Sequence, residues 1–199
     1  MTSRSFGYRG HTAIEDFQRV LEEARAGSER AAAVIFDAHQ APLLRYLRWQ
    51  EPSAADDLAG ETWLAVAERL GKFEGGEDAL RAWLFSVARR RIAEYRRRGA
   101  RRRTRPVAPE DLAGVPGGPD PSELVVETLS AQQAINHVAA SLNPDQAEVV
   151  VLRIVAGLSV EEIAHVLGKR PGTVRVIQHR ALRRLAQLRV ADAPTRQGR

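Results

Sequence analysis

Apolar residues recur at intervals of three and four along most of this chain, the spacing that places them on one face of an α-helix. Serine or asparagine precedes several of these runs and glycine follows others, as at helix starts and ends. Pro42 lies within the second run and is expected to kink or divide that helix. The pattern predicts an all-α fold with helices over 13–26, 28–49, 53–70, 79–98, 122–142, 144–156, 160–167 and 171–188.

The segment from Leu158 to Leu188 has the most specific pattern, two helices joined by a tight turn. Ser159 and Glu162 have the spacing of a capping box, so a short helix is expected to begin after Ser159. Gly168 ends that helix, and Pro171 opens the next one. An apolar stripe on the second helix is expected to pack inward, formed by Val174, Ile177, Ala181, Leu182, Leu185 and Leu188.

Polar and basic residues fall outside that stripe, near the start of the second helix. A DNA-binding helix-turn-helix places its base-reading side chains there, with neighbouring arginines on phosphate. The alternative is an αα-hairpin with a solvated cationic face. The residues on this face are Thr173, Arg175, Val176, His179 and Arg180, and the turn adds Lys169 and Arg170.

A second cationic helix is predicted from Ala79 to Arg98, following a glycine-containing loop at residues 72–78. Aromatic side chains beside arginines suit single-stranded DNA, because unpaired bases stack on aromatic faces. Trp83 falls on the apolar stripe and is expected in the core. Phe85 lies off the stripe, so Phe85 and Phe73 in the loop are the better candidates for contacting a base.

The third predicted helix has an acidic face, Asp56, Asp57, Glu61 and Glu68, opposite its apolar face. Such carboxylates are possible ligands for a hard cation. Because no histidine partner or second cluster accompanies them, a solvated or protein-binding face is favoured, and no metal or other cofactor is expected. No nucleophile or nucleotide-binding motif argues for catalysis.

Composition favours an acidic partner and an intracellular setting. Thirty Lys and Arg against 25 Asp and Glu give a net charge of +5, which suits nucleic acid. The chain has no cysteine, which excludes disulfides and thiolate metal sites. No apolar run approaches the ~20 residues that span a bilayer, and the N-terminus lacks a signal-peptide core, so the cytoplasm is the expected location.

Residues 106–123 are rich in proline and glycine, acidic, and without lysine or arginine. This composition cannot bury enough apolar area to offset chain entropy, which predicts a linker. The predicted organisation is a disordered N-terminus at 1–12, a helical domain at 13–98, a flexible basic-then-acidic linker at 99–123, a second helical domain at 124–190 and a disordered tail at 191–199.

Residues 56–70, 80–98 and 142–185 resemble regions two and four of the bacterial sigma-70 superfamily. Without a large domain between the two regions, the chain is similar to the small extracytoplasmic-function (ECF, group IV) sigma factors. The resemblance implies that 13–98 is a region 2 domain and 124–190 a region 4 domain. It also implies a non-catalytic subunit that gives bacterial RNA polymerase its promoter specificity.

The resemblance further implies three binding surfaces and a regulatory partner, an anti-sigma factor. The surface for core RNA polymerase, which docks on the coiled coil of the β′ clamp, is formed by Asp56, Asp57, Glu61 and Trp63. The −10 element is read and melted by Phe73, Trp83, Phe85, Arg89 and Arg90. The −35 element is read by Arg170, Thr173, Arg175, Val176, His179 and Arg180, while region 4 sits on the β-flap.

Two other functions stay open on the sequence. One is a stand-alone helix-turn-helix regulator in which residues 13–98 bind a ligand or form a dimer, although the arginine-aromatic helix would be superfluous there. The other is a metal-dependent nucleic-acid enzyme that uses Asp56, Asp57 and Glu61.

Overall fold

A computed structural model of the chain describes residues 14–103 and 123–191. Regular structure in these ranges is helical, which confirms the predicted all-α class. Most of the predicted linker, the predicted disordered N-terminus and the predicted disordered tail after Ala191 lie outside the described residues; Ala191 itself is the last residue of a helix. The helices are α1 (Phe17–Arg25), α2 (Glu29–Gln50), α3 (Ala55–Leu70), α4 (Glu77–Arg103), α5 (Glu123–Ala140), α6 (Pro144–Val155), α7 (Val160–Leu167) and α8 (Pro171–Ala191), with a 3₁₀ turn at Pro52–Ala54 before α3.

Several predicted helix caps are confirmed. The Ser28 hydroxyl accepts a hydrogen bond from the Ala31 backbone N–H, 3.3 Å away. A complete capping box starts α7, in which the Ser159 hydroxyl accepts from the Glu162 N–H at 3.2 Å and the Glu162 carboxylate accepts from the Ser159 N–H at 2.6 Å. Asn143 starts α6 in the same way. Each cap satisfies backbone donors that have no partner within the helix.

Two local predictions are wrong, and a third is narrowed. Ser53 does not cap α3, since it lies inside the 3₁₀ turn and the residue before the helix is Ala54. Of the two effects expected of Pro42, a kink or a division, division does not occur, because α2 continues from Glu29 to Gln50 with buried residues such as Ile35 and Leu43 on both sides of the proline. Helix α4 does not end at Arg98 but runs to Arg103, since arginine is a good helix former.

The first four helices pack around two apolar clusters. The smaller cluster joins α1 to α2 and to the start of α4, and its fully buried members include Leu21, Ile35 and Leu80. The larger cluster lies between α2, α3 and α4 and includes Tyr46 and Leu58. None of the helices within 14–103 and 123–191 has both the length and the apolar character needed to cross a bilayer.

The second half of the chain packs directly against the first. Helix α6 contacts α2, and α7 contacts α4. The larger apolar cluster continues without a break from Leu43 and Phe85 in the first half to Leu152 and Ile163 in the second. The sequence predicted two helical units but gave no sign that they share a core.

Glu148 of α6 makes the polar contact between the halves. Its Oε1 atom accepts hydrogen bonds from the Tyr46 hydroxyl at 3.1 Å and from Arg89 Nε at 3.0 Å. The Glu148 side chain is only 14% exposed. A carboxylate this buried is stable only when it is paired, so both donors help to hold the halves together.

We expect Ser159→Ala to lower the free energy of unfolding by about 1 kcal/mol, because it removes the side-chain cap of α7. Ser53→Ala is the matched control and should change it by less than about 0.5 kcal/mol, since Ser53 caps no helix. Urea unfolding followed by circular dichroism measures both. Equal losses in the two variants would contradict the capping assignment.

We expect Glu148→Ala to cost about 1–3 kcal/mol of stability, because it leaves a buried phenol and a half-buried guanidinium without their partner. Small-angle X-ray scattering should also show a larger radius of gyration as the halves separate. Glu161→Ala, which breaks an exposed pair inside the second half, should cost under about 1 kcal/mol and leave the radius unchanged. A compact, fully stable Glu148→Ala variant would show that apolar contacts alone join the halves.

Candidate nucleic-acid interface

The turn between α7 and α8 fixes how α8 is presented. Gly168 ends α7 with φ = 62°, a left-handed conformation that glycine adopts without strain. The backbone N–H of Lys169 then bonds to the Ala164 carbonyl at 2.9 Å. Val174 and Ala181 on α8 are fully buried and set the rotation of that helix about its axis. The two helices therefore form the predicted helix-turn-helix geometry.

All six residues predicted to read the −35 element are exposed. They lie at the turn and along the first turns of α8, as a helix entering a major groove requires. Val176 is 49% exposed although it is apolar, and an apolar side chain at this position suits contact with a thymine methyl group. The six are Arg170, Thr173, Arg175, Val176, His179 and Arg180.

Two cations on this surface are paired with carboxylates of the protein. Arg175 donates to Glu161 at 2.5 Å, with both side chains 61% exposed. Lys169 donates to Asp145 at 3.0 Å. Pairs this exposed contribute little stability, so a phosphate can replace the carboxylate as the partner of Arg175.

Part of the predicted inward stripe of α8 is wrong. Val174, Ile177, Ala181 and Leu185 are buried or half-buried, but Leu182 is 54% exposed and Leu188 is 36% exposed. Leu182 lies off the face that carries Val174, Ile177 and Ala181, and Leu185 beyond it is still half-buried, so the buried stripe is narrower than the predicted one.

Residues 71–76, which connect α3 to α4 and are called loop 71–76 below, carry a stacked aromatic pair with Trp83. The rings of Phe73 and Trp83 lie 5.2 Å apart between centroids, with an angle of 13° between their planes. Both side chains are half-buried. Together with Arg69, Lys72 and Glu74 they line a cleft of about 400 Å³. Planar rings beside cations form the kind of surface on which an unpaired base stacks.

Phe85 lies in the core, so the expectation that it faces away from the apolar stripe is wrong. Its ring is fully buried and meets Tyr46 edge-on, 5.4 Å between centroids. Helix α4 is covered on more than one side because the second half of the chain packs on it. In this arrangement Phe85 does not reach a base.

Arg89 and Arg90 point into different surroundings. Arg90 is exposed, whereas Arg89 is half-buried and paired with Glu148. Burial lowers the pKa of Arg89, but the hydrogen bond and the charge of Glu148 outweigh it and raise that pKa. Burial, followed by the negative charge of Glu148, raises the pKa of Tyr46 well above its usual range. The phenol therefore stays protonated and donates to Glu148.

The acidic face of α3 is solvent-accessible as predicted. Asp56 and Asp57 are exposed and Glu61 and Trp63 are half-buried. Asp56 accepts from Arg48 at 3.5 Å, and Glu61 accepts from Arg98 at 3.4 Å.

Two apolar residues next to this face were not identified from the sequence. The Phe36 ring is 40% exposed and lies 5.1 Å from the Trp63 ring, and Leu64 is 64% exposed. Trp63 is itself oriented by a hydrogen bond from its indole N–H to Gln40 Oε1, at 2.6 Å. The sequence could have pointed to Leu64, because this apolar residue falls outside the stripe of α3 that is buried. Apolar side chains beside carboxylates are typical of a protein-binding surface.

Comparison with known proteins identifies both halves. The family model "Sigma-70 region 2" matches residues 35–103, and "Sigma-70, region 4" matches residues 138–187. The ECF RNA polymerase sigma factor BldN of Streptomyces coelicolor is 34% identical over 176 residues, covering 87% of this chain and 66% of that protein. The ECF RNA polymerase sigma factor SigD of Mycobacterium bovis is 32% identical over 179 residues, covering 86% of this chain and 82% of that protein.

Solved structures share the fold. CnrH in complex with the cytosolic domain of CnrY gives a TM-score of 0.60 at 23% identity, covering 90% of this chain and 100% of that one. The sigma factor RpoE in complex with the anti-sigma factor NepR, from Bartonella quintana, gives 0.51 at 24% identity, covering 90% and 99%. With both regions matched in order and relatives of this identity, the chain belongs to the sigma-70 family and to its ECF group of RNA polymerase sigma factors.

Proposed function

We propose that this sigma factor binds core RNA polymerase and directs promoter-specific initiation through three surfaces. The start of α8 reads the −35 element, loop 71–76 with α4 binds the opened −10 element, and the acidic face of α3 docks on the polymerase. The observation that carries the proposal is that one chain combines an exposed helix-turn-helix face with a separate aromatic and cationic cleft. The first suits duplex DNA and the second suits single strands.

At the −35 element, α8 lies in the major groove with its N-terminal residues against the base edges. Arginine pairs with guanine or phosphate, and Val176 suits a thymine methyl group. The remainder of region 4 is then free to rest on the β-flap of the polymerase. Promoter preference at this element follows from the six exposed residues, with Arg175 exchanging Glu161 for DNA.

At the −10 element, an unpaired base stacks in the cleft formed by Phe73 and Trp83. Removing a base from the duplex costs a few kcal/mol, and stacking on an aromatic ring returns about 1–3 kcal/mol. Arg90 is exposed for contact with the backbone. Arg89 becomes available only after Glu148 releases it, so we infer that the two halves separate when the −10 element is bound.

At the polymerase, the acidic face supplies charge while Trp63, Phe36 and Leu64 supply apolar area. Burial of an aromatic anchor in the centre of such a surface gives most of the binding energy, and charged residues at its rim add specificity. The coiled coil of the β′ clamp is the proposed site. Asp56 and Glu61 would exchange their exposed arginine partners for groups of the polymerase.

The chain performs no reaction of its own under this proposal, and it acts in the cytoplasm together with the polymerase. An anti-sigma factor is a proposed additional partner, supported by the family resemblance. The named ECF relatives favour the sigma function over a stand-alone helix-turn-helix regulator.

Run-off transcription with core polymerase tests the proposed sigma function, because promoter-selective starts should require both the core enzyme and this chain. A chain that shifts promoter DNA alone and is ignored by the core enzyme would instead be a regulator.

We expect Arg175→Ala and Arg180→Ala each to weaken use of the −35 element by about 1–3 kcal/mol, because each removes a contact to a base or phosphate. The measurement is open-complex formation by the reconstituted holoenzyme on promoters with intact or scrambled −35 sequences. Arg30→Ala, which removes the same charge from an exposed position of α2, serves as the control. If both α8 variants kept the wild-type dependence on the −35 sequence, this face of α8 would not be the one that reads the −35 element.

We expect Asp57→Lys and Glu61→Lys to weaken binding of the core polymerase at least tenfold, since each reverses a charge on the docking face. Glu22→Lys, at an exposed position of α1, makes the same charge change elsewhere and should leave affinity for core polymerase unaltered. Titration of labelled variants with core enzyme measures this, and circular dichroism checks that the helices are intact. Equal affinities for all three variants would place the docking surface elsewhere.

A further inference from the structure

Helix α1 makes polar contacts around loop 71–76 although it lies outside the matched region 2, which begins at residue 35. Gln18 Nε2 donates to the carbonyl of Gly75 at 3.2 Å. Arg25 Nε donates to the carbonyl of Leu70 at 3.4 Å, at the end of α3. Glu77, the first residue of α4, accepts from the backbone N–H of Ile14 at 3.1 Å. The N-terminal segment therefore contacts the last residue of α3, the loop itself and the first residue of α4.

The same helix supports the loop through apolar packing. Phe17, Val20 and Leu21 on α1 are buried in the smaller cluster, against which Phe73 and Trp83 also pack. The stacked pair that lines the −10 cleft therefore rests on a core that α1 helps to build.

The loop has little freedom to shift without changing the cleft. Gly75 has φ = +143°, which is accessible to glycine and strained for other residues. A Cβ atom at this position would lie 2.9 Å from the Ala79 Cβ and 3.2 Å from Phe73 Cζ, so the backbone passes close to the aromatic ring. Movement of the Gly75 peptide therefore moves Phe73.

We propose that α1 positions loop 71–76 and that Gln18 is a positioning residue for base preference at the −10 element. The inference rests on the proposed role of Phe73 and Trp83 in binding an unpaired base. The Gln18 amide holds the Gly75 carbonyl, the Gly75 backbone limits where the Phe73 ring lies, and that ring shapes the cleft. Arg25 bonds to Leu70 of α3, and Glu77 of α4 bonds to Ile14, so among these three side chains Gln18 is the one that bonds to the loop itself.

The test uses Gln18→Glu in the full-length chain, reconstituted with core polymerase. Glutamate has the same shape, but its carboxylate cannot donate and repels the Gly75 carbonyl. Glu22→Gln makes the reverse exchange on the same helix and is the matched control. Gln18→Lys keeps a donor of sufficient length and should retain the wild-type preference. Open-complex formation is measured on promoters with each base at each −10 position.

We expect Gln18→Glu to reduce discrimination between bases at one −10 position by roughly three- to tenfold, the value of one hydrogen bond. Affinity for core enzyme and discrimination at the −35 element should stay unchanged, and Glu22→Gln and Gln18→Lys should behave as wild type. This pattern separates positioning from general stability, because a merely weakened fold lowers the output from every promoter alike.

Three other outcomes would overturn the inference. Equal loss on all promoters would mean that Gln18 only stabilises the fold. An unchanged profile in Gln18→Glu, while Phe73→Ala alters −10 preference, would remove the role of α1 and leave the proposed −10 site intact. If Phe73→Ala also left the −10 preference unchanged, the cleft at Phe73 and Trp83 would not be the −10 site. The proposed role of Gln18 would then be wrong as well.

Discussion

The carboxylate of Glu148 lies at the boundary between the two packed halves of this sigma factor. Its contacts join the halves and keep Arg89 bound within the protein. Glu148 holds the Tyr46 hydroxyl and the Arg89 guanidinium within 3.1 Å, beside an apolar cluster to which both halves contribute. Separating the halves returns apolar area to water at about 25 cal/mol per Å² and breaks the paired contacts at Glu148. If the halves separate as proposed, binding to polymerase and promoter supplies that free energy, and the use of Arg89 is linked to assembly.

Ion pairs elsewhere on the molecule contribute less to stability than the contacts of Glu148. Arg175 with Glu161, Arg48 with Asp56 and Arg98 with Glu61 are all substantially exposed. Exposed pairs of this kind are worth about 0–1 kcal/mol. A DNA phosphate can therefore replace the carboxylate of such a pair, and a charged polymerase side chain can replace either partner, with little loss of stability. The exposed ion pairs on α8 and α3 can therefore open at little cost in stability. Arg89 must first lose its less exposed contact with Glu148.

Local signals in the sequence predicted the local structure well. The capping box at Ser159, the left-handed Gly168 and the start of α8 at Pro171 depend on residues within a few positions of one another. Predictions were wrong or absent where the deciding partner is distant in sequence. Tyr46 and Glu148 are 102 positions apart, and Phe85 is buried against Tyr46 of a different helix. The exposure of Leu182 was missed because the spacing of apolar residues does not show how wide the buried stripe of a helix is.

The extension of α4 to Arg103 affects how far apart the two halves can move. Residues in a helix advance 1.5 Å each, against roughly 3.4 Å in an extended chain, so five helical residues shorten the available tether by about 10 Å. Residues 104–122 have a contour length of at most ~65 Å, and each base pair of duplex between two bound elements adds about 3.4 Å to the distance to be spanned. The spacing of promoter elements that one chain can reach therefore depends on the length of α4 as well as on the connecting segment.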